Sequence, residues 1–348
     1  PRQFEWTDDA WPGPTPESLV VYELHVGTFT PEGTFKGVTN RLEHLNALGV
    51  TAIELLPIAD FAGNQSWGYD GVDLFAPARC YGTPDDLRQL VDRAHALGIS
   101  VLLDVVYNHF GPVGNYTLEF SKQYLSDRES DWAACVNLDG EGGDDVQEFF
   151  IENALHWLHE YHIDGLRLDA THTLRDDVPP HFLEDLADRV KSAFPGRWVP
   201  LIAEDHRNLN TMIRPRHAGG WGLDGVWADD FHHSVRRLLL GDHEGYYRDY
   251  TGTVAEVVRT IRQGWLYTGQ RSIHLGELRG TDPSGIEPRK FVICIQNHDQ
   301  VGNRAFGDRL NHGIEPPAYR AAAVLLLTAP QTPLLFMGQE WESTSPFL

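Results

Sequence analysis

Eight short apolar runs recur along the 348-residue chain, and segments with the spacing of amphipathic helices separate them. Runs that are apolar at nearly every position are typical of parallel strands buried on both faces. The alternation therefore predicts an α/β fold, and eight strand–helix units predict a closed (β/α)8 TIM barrel and not an open sheet. The predicted strands are 20–26, 51–56, 100–106, 165–169, 199–204, 225–229, 291–296 and 334–337.

The domain boundaries are predicted from local composition. Residues 1–18, rich in proline, are expected to be a lead-in from an upstream domain. Residues 19–348 are expected to form the catalytic barrel, with an excursion after strand 3, a loop insertion rich in Gly, Asp and Asn at about 110–145. Only 11 residues follow the eighth predicted strand, so we expect truncation there and further N- and C-terminal domains of the same chain.

The charge and composition of the chain limit its partners. The formal net charge is −22 and no basic stripe is present, which argues against nucleic acid. No run of 18 apolar residues occurs, so no membrane partner is expected. Cys80, Cys135 and Cys294 are too few and too widely spaced for a disulfide framework, which predicts a cytoplasmic location.

Four of the predicted strands end in charged, amide or imidazole side chains. The four strand-end segments are 104–109, 165–169, 201–204 and 296–299. Three of them supply a carboxylate: Asp169, Glu204 and Asp299. The carboxyl ends of barrel strands meet on one face, where the active sites of such barrels lie. Paired carboxylates on that face are what hydrolysis of a glycosidic bond requires.

Asp169 and Glu204 are predicted to lie on adjacent strands, because 35 residues, about one βα unit, separate them. Adjacent strands lie about 4.8 Å apart. This spacing favours a retaining glycosidase, whose carboxyl groups are about 5–5.5 Å apart, over an inverting one, which needs about 6.5–9.5 Å. Arg167 alternates with leucines in the same strand as Asp169, so both should face the barrel interior as a pair.

Each motif taken alone also has a purely structural interpretation. Arg167 and Asp169 could form an ion pair at the barrel mouth, and Glu204 could cap a helix. The histidines near the strand ends raise the alternative of a metal-dependent hydrolase, but they lack the spacing of a metal cluster, so no metal ligand is predicted. Trp67 and Tyr69 could stack on a sugar or simply pack within their glycine-rich loop. The order of the four segments favours the glycosidase.

Together the four segments resemble the signature regions of the α-amylase superfamily, glycoside hydrolase family 13, and the resemblance extends from strand 1 to strand 8. It implies that Asp169 is the nucleophile, Glu204 the general acid/base and Asp299 the third carboxylate. It implies no cofactor. Calcium-binding members carry a Lys-His pair after the nucleophile, whereas this chain has His172 at the first of these positions, which argues against a structural Ca²⁺. The residues expected to bind substrate are Trp67, Tyr69, His109, Arg167, His172, Asp230, His298 and Arg304.

Flanking segments narrow the expected substrate, a maltooligosaccharide. The runs 67–77, 227–233, 296–304 and 333–338 resemble the branch of the superfamily that cleaves the α-1,4 bond next to the terminal trehalose of maltooligosyltrehalose. Two alternatives stay open. One is a branching or debranching, isoamylase-like enzyme acting at α-1,6 bonds, since such enzymes also begin strand 1 with a Tyr-Glu-x-His run. The other is a non-catalytic glucan-binding barrel.

Overall fold

The computed structural model describes residues 4–129 and 134–348. Eight of its strands belong to a closed barrel, which confirms the predicted (β/α)8 fold. Residues 1–3 of the predicted lead-in and 130–133 of the predicted excursion lie outside the described residues. The barrel strands β1 to β8 are Val21–Leu24, Ala52–Leu55, Ser100–Val105, Gly165–Leu168, Leu201–Ala203, Gly225–Trp227, Phe291–Cys294 and Thr332–Phe336.

The described residues also contain twelve α-helices. Local sequence explains where they begin and end. For example, Thr83 and Asp86 cap the first turn of α4 reciprocally, and Gly241 ends α9 in the left-handed conformation. Helices α1 to α12 are Val26–Phe29, Phe35–Thr39, Leu42–Leu48, Pro84–Ala96, Thr117–Phe120, Gly143–Glu160, Phe182–Ala193, Asn210–Ile213, Asp229–Leu240, Val254–Gln263, His298–Gly302 and Pro316–Thr328.

The described chain divides into two compact units. The first contains residues 4–18, 24–204 and 221–223, apart from 130–133, and the second contains 19–23, 205–220 and 224–348. In the first unit β2, β3, β4 and β5 lie side by side in that order and are parallel. In the second unit β1, β8, β7 and β6 do the same. Nearly every residue of these strands is buried, as expected for parallel strands.

The chain between β3 and α6 contains more structure than the predicted loop insertion. It includes α5 and an antiparallel strand pair, Leu125–Glu129 with Ala134–Val136. Helix α6 begins at Gly143, close to the predicted end of the loop insertion at about residue 145. Asp144 and Asp145 lie in the first turn of α6, where carboxylates interact favourably with the helix dipole.

Residues 4–18, the described part of the predicted lead-in, pack against the rest of the first unit. The backbone N–H of Thr7 donates to Asp92 at 2.7 Å, and the indole N–H of Trp11 donates to the buried Asp164 at 2.8 Å. The ring of Trp6 stacks on His162 with centroids 3.7 Å apart. This segment is therefore integrated into the unit by polar and aromatic contacts. Among the described residues, we find no helix long and apolar enough to cross a membrane.

Candidate active site

Asp169 and Glu204 directly follow the neighbouring strands β4 and β5. The N–H of Asp169 donates to the carbonyl of Val105 at 3.0 Å, and that of Glu204 donates to Leu168 at 2.9 Å, so both residues continue the barrel ladder. Their predicted placement at the ends of adjacent strands is confirmed. The two carboxylates are partly accessible, with side-chain exposures of 12% and 18%.

Arg167 is fully buried on β4 and joins the carboxylates of the site. Its Nη1 lies 2.7 and 2.8 Å from the two oxygens of Asp104 and 2.8 Å from Oδ1 of Asp169, and its Nη2 lies 3.2 Å from Oε2 of Glu204. Burial by itself would lower the pKa of Arg167, but the neighbouring carboxylates, Asp104 foremost, hold that pKa well above its usual value. One cation thus orients both predicted catalytic carboxylates.

Asp104, which was not predicted as a site residue, is the buried counterion of Arg167. It lies on β3 in register with Arg167 and is 3% exposed. The hydroxyl of Tyr69 donates to Asp104 Oδ2 at 2.6 Å. A single carboxylate inside the apolar run Val101–Val105 is the signal in the sequence that could have identified it, since a buried charge requires a partner.

Two side chains after β3 hold Asp169 and Tyr69 in place. The Asn108 amide donates to Oδ2 of Asp169 at 2.6 Å and to its carbonyl at 3.1 Å. One ring nitrogen of His109 lies 2.9 Å from the Tyr69 carbonyl, and the other contacts Asn108. His109 therefore lies beside Tyr69, as the prediction of a shared subsite requires. Asn108 was missed, although it stands next to His109 in a strand-end segment.

The turn after β4 holds Glu204. The N–H of Ala170 donates to Oε2 of Glu204 at 2.6 Å, and Thr171 donates to the Glu204 carbonyl from its N–H and its hydroxyl at 3.0 and 2.9 Å. Ala170 adopts the left-handed conformation, with φ 41° and ψ 47°, at a cost of about 1–2 kcal/mol for a non-glycine residue. His172 follows in the same short turn and is half-exposed, so it lies in the loop that contacts Glu204.

The loop that carries Trp67 and Tyr69 is built around Gly68. Gly68 has φ +109°, and a Cβ atom there would lie 2.1 Å from the Pro57 carbonyl oxygen. Its N–H donates to the Ser66 hydroxyl at 3.0 Å. Trp67 and Tyr69 are both half-buried on either side of it. Only glycine fits this position, and the resulting tight turn brings the Tyr69 hydroxyl to Asp104.

Gly68→Ala is expected to lower kcat/KM on an α-glucan by roughly 10- to 100-fold, because displacement of Tyr69 would disturb Asp104 and Arg167. Gly63→Ala is the matched control, since Gly63 also has positive φ (86°) but a Cβ there meets nothing within 4 Å. We expect the control to keep its activity within about twofold and to lose only about 1 kcal/mol of stability. Equal activity of the two variants would contradict this account.

Asp299 lies in the first turn of α11, in the second unit. Its neighbour His298 is held by Glu23, which accepts the His298 N–H at 2.8 Å and lies 2.6 Å from Nδ1 of its ring. The Asp299 carboxylate is 36% exposed and accepts from Asn303 at 3.1 Å. Its backbone is thus anchored while its oxygens stay accessible. Glu23 was not predicted, although it is a lone carboxylate within the apolar strand β1.

Two predicted substrate-binding residues take part in ion pairs of the second unit. Asp230 is completely buried, and Arg279 holds its pKa below the usual value against the effect of burial. Its oxygens accept from Asn208, Tyr250, Leu266, Tyr267 and Arg279. This geometry favours a positioning role for Asp230. Arg304 is half-exposed and pairs with Asp308 at 2.6 Å and with Asp242 at 3.2 Å.

Comparison with known proteins identifies relatives of this chain. A family model described as the α-amylase catalytic domain matches residues 1–144. Malto-oligosyltrehalose trehalohydrolase of Deinococcus radiodurans is 48% identical over 99% of this chain and 56% of that protein. The enzyme of the same name from Saccharolobus solfataricus is 43% identical over 99% of this chain and 60% of that protein. Residues 1–144 thus match the α-amylase catalytic domain, and nearly the whole chain is similar to these two enzymes.

The structural comparison agrees with this similarity. A crystal structure from Salmonella typhimurium, named as a candidate α-amylase, matches with a TM-score of 0.92 and 42% identity over 99% of this chain and 59% of that one. A 1,4-α-glucan branching enzyme of Leifsonia xyli is less similar, at 33% identity over 99% of this chain and 48% of the enzyme. The chain thus spans about half to three-fifths of the length of these family members.

The histidines near the strand ends have protein partners in several cases, such as Glu23 for His298 and Tyr69 for His109. His232 is buried, and burial holds its pKa well below the usual value. Within residues 4–129 and 134–348, no group of three or more His, Cys, Asp or Glu side chains is placed to hold a metal ion.

Proposed function

We propose that the protein containing this chain is a retaining α-glucan hydrolase that cleaves the α-1,4 bond next to the terminal trehalose of maltooligosyltrehalose and releases trehalose. The observation that carries the proposal is the pair Asp169 and Glu204 at neighbouring strand ends, bridged by buried Arg167. Similarity to trehalohydrolases at 43–48% identity supports the choice of substrate.

In the proposed reaction, Glu204 protonates the glycosidic oxygen while a carboxylate oxygen of Asp169 attacks the anomeric carbon. The bond from that carbon to the leaving saccharide breaks as the ester to Asp169 forms. Glu204 then takes a proton from water, which attacks the same carbon and restores Asp169. Asn108 and Arg167 each contact one oxygen of Asp169, so the nucleophile is oriented before substrate binds.

The remaining residues are assigned by role. Asp299 supplies the third carboxylate, which binds sugar hydroxyls of the distorted ring. The resemblance assigns sugar binding to Tyr69, His109 and Arg167 of the first unit and to His298 of the second, with Trp67 and His172 in the loops after β2 and β4 and Asp230 and Arg304 in support. Within the described residues, Cys80, Cys135 and Cys294 are not joined in disulfides, which supports a cytoplasmic location.

A second candidate function is action at α-1,6 bonds. The similarity to a branching enzyme at 33% identity favours it over unrelated chemistry, but that similarity is lower than the similarity to the trehalohydrolases. The buried guanidinium of Arg167 disfavours a non-catalytic glucan-binding barrel. Burying several charges is costly, and glucan binding alone would require fewer of them.

The test is a side-by-side incubation of the protein containing this chain with maltooligosyltrehalose and with a plain maltooligosaccharide of equal length. We expect free trehalose from the first, formed much faster than any product of the second. We also expect the newly formed reducing end to appear first as the α anomer by NMR, since the mechanism retains configuration. New or lost α-1,6 linkages would favour the second candidate, and binding without hydrolysis would favour the non-catalytic barrel.

A further inference from the structure

Helices α9 and α11 of the second unit meet at two buried side chains, His233 and Gln300. The Nε2 of His233 lies 3.4 Å from the amide nitrogen of Gln300, and its Nδ1 lies 3.0 Å from the Tyr250 hydroxyl. His233 and Gln300 belong to the flanking segments 227–233 and 296–304 that were recognised in the sequence. His233 therefore bridges Tyr250 to the helix that carries Asp299.

The buried pair of Asp230 and Arg279 sets the direction of these hydrogen bonds. The Tyr250 hydroxyl donates its only proton to Asp230 at 2.5 Å, so it must accept from its other neighbours, Arg279 at 3.0 Å and His233. Nδ1 of His233 consequently carries a proton. Burial, and next the charge of Arg279, lower the pKa of His233 to about 3. The ring is thus neutral near neutral pH, and its Nε2 is an acceptor.

An acceptor at His233 fixes the orientation of the Gln300 amide. The NH2 group of Gln300 must face His233, so its oxygen faces the opposite way. There it accepts from the hydroxyls of Tyr246 at 3.1 Å and Tyr247 at 3.3 Å. The Tyr246 ring also packs on His233, with centroids 4.5 Å apart at 30°. Tyr246 is 38% exposed, so the buried network ends in an accessible aromatic ring.

The Tyr246 ring is linked to the third carboxylate through Gln300, which the Tyr246 hydroxyl contacts. Gln300 follows Asp299 in α11, and its N–H donates to the Asn297 cap at 2.8 Å. Burial raises the pKa of Tyr246, and the negative charges of Asp229 and Asp299 act in the same direction. An exposed aromatic face beside a carboxylate is suited to contact an apolar face and a hydroxyl of one sugar.

We propose that His233 is a positioning residue of the hydrolysis: it holds Gln300 and thereby presents Tyr246 to the saccharide bound at Asp299. The proposal rests on the proposed function. His233 neither touches substrate nor transfers a proton. If it acts through Tyr246, its loss removes a contact made equally in the ground state and the transition state, which raises KM and leaves kcat nearly unchanged. A defect of folding would instead lower the active fraction and so kcat, with KM unchanged.

Two variants at this position separate the two hydrogen bonds. His233→Asn keeps a donor where Nδ1 faces Tyr250 but loses the acceptor for Gln300. His233→Gln keeps an acceptor where Nε2 faces Gln300 but loses the donor. With maltooligosyltrehalose and the protein containing this chain, we expect KM to rise about 10-fold in H233N and less than about 3-fold in H233Q, with kcat within about 3-fold in both.

Tyr246→Phe tests the other end of the network, because it removes the hydroxyl and keeps the ring. We expect it to raise KM about as much as H233N does, and the double variant to raise KM no further than either single one. If H233N fails to fold, Gln300→Met, which removes both amide contacts at similar volume, is measured instead with the same expected rise in KM.

Three results would overturn the inference. The first is a KM of H233N equal to that of the wild-type protein, with trehalose released as by the wild-type protein. The second is a lower kcat with unchanged KM, which is the pattern of a purely structural residue. The third is additivity of H233N and Y246F. Absence of trehalose release by the wild-type protein would overturn the proposed function itself. This outcome is distinguishable because the wild-type protein is assayed before any variant is compared with it.

Discussion

Asp169→Asn is expected to lower kcat for trehalose release from maltooligosyltrehalose by roughly 10⁴-fold or more, because an amide oxygen is too weak a nucleophile to form the glycosyl ester. The substitution keeps the volume of the side chain and leaves an oxygen that can still accept from Arg167 or Asn108. Substrate binding should therefore survive while turnover is lost. The measurement is kcat on the purified protein, with binding of the intact substrate followed by calorimetry.

Glu204→Gln serves as the companion variant, because the activity that it loses should depend on the leaving group of the substrate. A general acid contributes about 10²–10⁴-fold, so this is the expected loss with the natural substrate. The first step should recover with an aryl glucoside whose leaving group needs no proton, whereas Asp169→Asn should stay inactive with both substrates. Asp177→Asn, at a side chain that is 85% exposed, is the control for the Asp-to-Asn change. Near wild-type turnover in Asp169→Asn would rule out the assigned nucleophile.

Arg167→Met is expected to lower the free energy of unfolding by about 3–5 kcal/mol, the usual result of removing one partner of a buried ion pair. Asp104 would then be left buried without its cation, and the orientation of Asp169 and Glu204 would be lost as well. Activity should disappear with stability. Urea denaturation followed by tryptophan fluorescence measures the stability, and the trehalose assay measures the activity.

Arg189→Met is the matched control for this experiment. Arg189 also contacts a carboxylate, Glu148 at 2.8 Å, but the two side chains are 38% and 49% exposed. An exposed pair contributes about 0–1 kcal/mol, so the control should be nearly neutral. Comparable losses of stability in the two variants would contradict the view that Arg167 is the electrostatic centre of the site.

The fold could be predicted because its signal is local and repeated. Each buried parallel strand corresponds to a short apolar run in the sequence, and eight such runs alternate with helical segments. The ends of the helices and strands were predicted less accurately. β4, for instance, ends at Leu168 because Ala170 turns the chain with a left-handed conformation, which nothing in the apolar pattern announces. The antiparallel strand pair after β3 was also missed, since its first strand, Leu125–Glu129, has four polar residues after Leu125 and no apolar run.

The two carboxylates of the first unit could be predicted because strand order alone places consecutive strand ends side by side. Their partners could not. Asp104 reaches Arg167 across 63 residues, and Asn108 reaches Asp169 across 61. Glu23 reaches His298 across 275. Such contacts depend on strand register and on side-chain rotamers, neither of which has a periodicity that can be recognised in the sequence.

The sequence by itself determined the order of the barrel strands, the carboxylates at their ends and the family resemblance, since all of these depend on the identity and spacing of residues. Only the tertiary structure decided how the charges are paired and which way the hydrogen bonds run. The flanking segments 227–233 and 296–304 were recognised separately, and the structure joined them at His233 and Gln300. The physical reason is that a buried polar group must find a partner wherever the fold brings one within reach, however far apart the two lie in the chain.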